Sequence, residues 1–80
     1  MKPEKVFRVG SVSASVFKNE VETANGKRDM RNVALQRRYH DGEEWKNAST
    51  FGLAELPQAL AVLDLSLRYL STKEADVTPA

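Results

Sequence analysis

The chain has no cysteine, one histidine and few rings, with aromatic residues at 8%. Without thiols there is neither a disulfide to hold a small fold nor a thiolate metal site. A single imidazole, His40, does not make a metal site by itself. Long apolar runs are missing too. Glu55, Gln58, Asp64 and Arg68 interrupt the longest one, so no stretch reaches the roughly 18 uninterrupted residues of a membrane span. Nothing reads as a signal peptide, and the expectation is a soluble, cytoplasmic protein, nucleoid-associated if its source is bacterial. Eighty residues make one domain with a marginal core. Association of copies is the remaining common route to stability.

Catalytic signatures are equally scarce. His40 sits beside Asp41 in what reads as a turn, and Glu43 and Glu44 are adjacent, so their side chains diverge. There is no glycine-rich phosphate loop, no metal-ligand spacing and no nucleophile with an evident base. The reading is a non-enzyme, with no catalytic residue, metal, cofactor or small-molecule substrate.

What is present is leucine near the carboxyl end. Leu56, Leu60, Leu63, Leu67 and Leu70 follow at spacings of four, three, four and three, a heptad seam along one stripe of a helix. A second apolar set, Ala59, Val62, Leu65 and Tyr69, lies beside it, and Asp64 and Arg68 sit four apart, where they can pair. So much apolar girth needs two buried sides. One is expected to cover a sheet, and the five seam leucines are expected to meet a second copy. Pro57 fits the first helical turn, placing the helix at about residues 57–71.

Upstream, the period is two. Residues 6–9 alternate and end at Gly10. Residues 11–18 set Val12, Ala14 and Val16 on one face, with Ser11, Ser13, Ser15 and Phe17 on the other. Residues 19–29 read as a polar connection of about ten residues with Asn25-Gly26 as the turn and a mobile tip. Residues 30–39 place Val33 and Leu35 on a face with Arg31, Arg37 and Tyr39, opposite Asn32, Ala34, Gln36 and Arg38. Asp41-Gly42 turns the chain into a last strand at 44–51, and Gly52 ends it. The fold class is therefore α+β: a four-stranded antiparallel sheet followed by one C-terminal amphipathic helix, β-β-β-β-α, dimerising through the helix. Residues 1–5 read as a flexible lead-in, 6–71 as the folded domain and 72–80 as a flexible tail.

Charge is unevenly spread. Residues 1–52 carry ten Lys or Arg against seven Asp or Glu, or +3, whereas 53–80 carry two against four, or −2. Basic residues interleave with rings on the strands: Arg8, Phe17, Lys18, Arg31, Arg37, Arg38, Tyr39, Trp45 and Lys46, with Lys27 and Arg28 beside the Asn25-Gly26 turn. Unpaired nucleic acid is held by this combination, cations tracking phosphates while flat rings stack on bases. Ser11, Ser13, Ser15, Asn32, Ala34 and Gln36 would leave a smooth shelf between them. Tyr39 and Trp45 flank a turn, so a cross-strand ring pair with no ligand is an equally open reading.

This order of residues resembles a known family. A strand ends at Gly10-Ser11, a Ser/Val strand runs into Phe17-Lys18, and a third ends Arg37-Arg38-Tyr39. An Asp41-Gly42-Glu43 turn follows, and a Gly-Leu entry leads into the helix. Over residues 6–71 this looks like the single-stranded DNA-binding domain of the transcriptional positive-cofactor-four family, which shares a core with the Whirly proteins. The resemblance implies a homodimer joined by its helices, binding single-stranded or unwound DNA with little sequence preference; whether RNA competes is left open by the sequence. It also implies roles in transcription, replication or recombination. The family's aromatic–basic pair falls on Phe17 and Lys18, and its basic–aromatic strand end on Arg37, Arg38 and Tyr39. His40 stands where the family places a further aromatic. The reading from another class is a small protein–protein interaction module that binds no nucleic acid.

Overall fold

Strand β2 (Val12–Thr23) is the centre of the molecule, because its inward positions are small enough to lie directly beneath a helix. In this computed structural model, which describes residues 2–74, Val12, Ala14 and Val16 are fully buried. β1 (Lys5–Val9) and β3 (Gly26–His40) flank β2, and β4 (Trp45–Ala48) closes an antiparallel sheet in the order β1-β2-β3-β4. Helix α1 (Leu56–Glu74) lies across β1 to β3 and does not reach β4. The β-β-β-β-α reading thus holds for the protomer.

Small residues meet small residues at the contact. Ala59 and Val62 on α1 are buried against Val12 and Ala14, with Phe7, Val9, Val33, Leu35 and Phe51 around them, and Ser66 is buried one turn further along the same helix face. Close approach follows from the missing side-chain volume. The Ser66 hydroxyl, inside this contact, donates to the Val62 carbonyl one turn back at 2.7 Å, so burial leaves it satisfied. The face that docks therefore runs Ala59-Val62-Ser66-Tyr69. The leucine seam points elsewhere: Leu56, Leu60, Leu63 and Leu67 are exposed, as are Leu53 and Leu65, while Leu70 is partly covered.

Several boundaries move from their expected places. β1 begins at Lys5, and Glu4 ahead of it is anchored: its backbone N–H donates to the Val16 carbonyl at 2.7 Å and its carboxylate takes two hydrogen bonds from Arg31. The fixed part of the chain thus starts inside the expected lead-in. The connection expected at 19–29 is instead strand almost throughout. Thr23 pairs with Gly26, leaving the two-residue turn Ala24-Asn25, and the positive φ falls on Gly26 just after it, at 111°. Its charges suit extended structure, because Lys18 meets Asp29 at 3.5 Å and Glu20 meets Lys27 at 3.4 Å across the ladder. The last strand is shorter than 44–51: the carbonyl of Thr50 accepts from the Arg37 guanidinium at 2.8 Å instead of continuing a ladder. The helix outlasts its expected end by a turn, and residues 75–80 of the expected tail lie outside the described residues.

β1 stops pairing at Val16 and β4 starts at Arg37, so the far half of the β2–β3 hairpin projects as a two-stranded arm. The extents, 51 × 30 × 16 Å, and a radius of gyration of 15.5 Å reflect it. A compact chain of this length would have a radius of about 11–12 Å.

Candidate nucleic-acid interface

Register decides which side chains share a face. Opposed residues in an antiparallel ladder point the same way. The open face, away from α1, therefore carries Val6 and Arg8 from β1, and Ser13, Ser15, Phe17, Asn19 and Val21 from β2. β3 adds Arg28, Met30, Asn32, Ala34, Gln36, Arg38 and His40, and β4 adds Trp45 and Asn47. The shelf expected from alternation lies here. A groove of about 690 Å³ crosses it, lined by Arg8, Ser13, Ser15, Gln36, Arg38 and Trp45 among others.

The groove ends in a ring-and-cation cluster. The Arg38 guanidinium lies over the Trp45 indole, 4.6 Å from its centroid, and His40 meets the same ring edge-on at 5.1 Å. Trp45 remains 59% exposed, enough ring for a further flat partner. His40 is oriented by the turn: its Nδ1 accepts from the Gly42 backbone N–H at 3.0 Å. Next to it, Asp41 accepts from the Glu43 and Glu44 N–H groups, each at 2.9 Å, and pairs with Lys46 at 2.9 Å. The Glu44 N–H, then Lys46, then the Glu43 N–H pull the Asp41 carboxyl down to about 2. The β3–β4 turn is thereby fixed beside the cluster.

The eleven candidate residues divide between two faces. Arg8, Phe17, Arg28, Arg38 and Trp45 stand on the open face. Lys18, Lys27, Arg31, Arg37, Tyr39 and Lys46 stand on the helix side, and each of their cations is taken by an acid. Besides the pairs already given, Arg31 is held bidentately by Glu4 at 2.8 and 3.1 Å, and Arg37 lies 3.7 Å from Glu55. Tyr39 lies under Arg37, at 5.2 Å, and is opposed by Lys46. A Tyr39–Trp45 cross-strand pair is therefore ruled out by register; the partner of Trp45 is His40.

This division extends to every strand carboxylate. Glu20, Glu22 and Asp29 all lie on the helix side, leaving the open face of the strands with arginines and no acid. Among the described residues no carboxylate pairs with Arg8, Arg28 or Arg38. Sequence reading missed Val6, Met30 and Asn47 as open-face neighbours. It also missed Gln58, whose Oε1 accepts from the Ser11 backbone N–H at 3.0 Å and its hydroxyl at 3.2 Å, fixing the β1–β2 turn at one end of the groove. No local pattern announces that contact, which joins residues 47 apart.

Among the described residues no three His, Asp or Glu side chains are grouped to hold a metal ion, and no helix is long and apolar enough to cross a membrane. No family model matches the chain, and no curated protein or solved structure shows significant similarity to it.

Proposed function

We propose that this protein is a homodimeric, non-enzymatic binder of unpaired DNA that works in the cytoplasm, in transcription, replication or recombination. The observation that carries the reading is the sorting of charge: an acid-free sheet face on which Arg8 and Arg38 line a polar groove that ends at Trp45, with Arg28 farther out on the same face. Guanidinium groups with no carboxylate to satisfy them suit phosphates, and an exposed indole suits a base, at about 1–3 kcal/mol per stacked base. Duplex DNA hides its base faces, so an unpaired strand is favoured. Two protomers would join through the exposed leucines of α1, on the side of the molecule away from the groove, leaving both grooves free. The likeness to the positive-cofactor-four family agrees with this reading.

The test uses Trp45, the chain's one tryptophan, as its own reporter. Oligothymidine should quench it well ahead of a matched duplex, with log affinity falling linearly against log salt. RNA of the same length measures how far the 2′-hydroxyl matters. Equal binding of single strand and duplex, or none of either, would refute the reading.

A further inference from the structure

We infer that the projecting β2–β3 arm is a second contact surface for the same strand, so that one protomer holds nucleic acid along the length of β3 and not at the groove alone. This rests on the function proposed above. The two faces of the arm differ in a way its own stability does not require. On the helix side Lys18, Glu20, Lys27 and Asp29 are engaged with one another in cross-strand ion pairs. On the other side stand Phe17, Val21 and Met30, with Arg28 opposite Val21 and lacking an acid partner among the described residues. Met30 is 48% exposed.

A two-stranded ribbon with solvent on both faces is marginal by itself, and apolar side chains left in water add nothing to it. Neither β1 nor β4 pairs beside Phe17, Val21 or Met30, and all three stand on the face away from α1, Met30 exposed and the other two half-buried. The surface is continuous with the groove, since Phe17 follows Ser15 and Asn32 follows Ala34 on the same face. It shares the groove's chemistry of arginine, neutral polar groups and flat or soft apolar side chains without acids. An unpaired strand is thus the occupant it fits: Arg28 meets a phosphate while Phe17 and Met30 pack on bases. From Arg28 to Arg38 along β3 is about 33 Å at about 3.3 Å per residue. At the stacked spacing of about 3.4 Å that is about ten nucleotides, and fewer if the strand is stretched.

The experiment compares oligothymidines of about 4 and about 12 nucleotides, within the span that single-strand modules cover. Wild type should bind the longer one more tightly than the roughly nine overlapping registers of a 4-nucleotide site explain. Arg28→Ala with Met30→Ser should weaken the long oligomer on the order of tenfold, leave the short one nearly unchanged, and flatten the long oligomer's salt slope by about 0.7. Lys27→Ala, on the other face of the arm, should do neither. The inference is overturned if long and short oligomers bind alike, if the arm variant loses affinity for both equally, or if Lys27→Ala reproduces its effect. Wild type that binds no oligomer of either length overturns the proposed function itself, which separates the two failures.

Discussion

Arg37 and Arg38 are neighbours in the chain but stand on opposite sides of β3. Arg37 donates to the Thr50 carbonyl at 2.8 Å and faces Glu55 at 3.7 Å, tying β3 to the segment that leads into α1. The Arg38 side chain reaches only the Trp45 ring among the described residues. Their replacements should therefore fail differently. Arg37→Ala should lower stability by about 1–3 kcal/mol, the worth of a charge-assisted hydrogen bond, with the salt slope for oligothymidine unchanged. Arg38→Ala should leave the urea midpoint near wild type and flatten that slope by about 0.7. A flattened slope in the Arg37 variant would put the strand on the other face.

Gly10 and Gln58 form a second coupled pair. Gly10 has φ of 60°, and a methyl group there would lie 2.6 Å from the Gln58 carboxamide carbon. The side chain is flexible, so it can swing away, but doing so gives up its bonds to Ser11. Gly10→Ala should then cost about 1–3 kcal/mol, combining left-handed backbone strain with a lost hydrogen bond. Gln58→Ala loses only the bonds. Because the two changes share that loss, the double variant should be less destabilised than the sum of the singles. Urea midpoints of the four proteins complete the cycle, and strict additivity would show that Gly10→Ala leaves the clamp intact.

Alternation made the sheet and its shelf legible: Val12-Ala14-Val16 against Ser13-Ser15, and Val33-Leu35 against Ala34-Gln36, are local facts that register preserves. The arm was hidden because Glu20, Glu22, Lys27 and Asp29 look like a solvated loop until their cross-strand pairing is known. The same blindness affected the basic residues. Composition cannot say which cations are already taken by Glu4, Asp29, Asp41 or Glu55, since those pairs close over long separations or across turns. The helix misled in its own way. The richest stripe, leucine, is exposed in the protomer, whereas the docking stripe contains Ala59 and Ser66, whose small size matters more there than hydrophobicity.

Acid should loosen the fold at two carboxyl groups. Arg31 first, and Tyr69 second, hold Glu4 at about 2, well below its ordinary 4.5, and Asp41 lies at about 2 against an ordinary 3.8. The same bond raises the Tyr69 phenol, which donates to Glu4 at 2.9 Å. A carboxyl whose pKa falls on folding stabilises the native state above the unfolded value and loses that effect as pH drops through the folded one. Stability should therefore decline from about pH 4.5 down to about 2. Glu4→Gln should be less stable than wild type at neutral pH, with the gap closing across that window. Urea midpoints at neutral pH and at about pH 2.5 check it, and a gap that persists in acid would show that Glu4 acts by packing alone.

The exposed leucines yield the sharpest test of assembly. Leu60 and Leu67 are 68% and 64% exposed, two heptad-related positions on the side of α1 away from Ala59 and Val62. Neither supports the protomer's own core, so Leu60→Glu with Leu67→Glu should leave the sheet folded by circular dichroism. If two copies meet through this stripe, wild type should sediment as a dimer at micromolar concentration and the double variant as a monomer. Each added carboxylate would face apolar surface or its own symmetry mate, an unpaired buried charge that costs several kcal/mol. Loss of the dimer should also cost affinity for long oligonucleotides that reach both grooves, with binding of short ones retained, because linked sites gain only when both are engaged. Wild type that sediments as a monomer would leave the leucine stripe without its second copy.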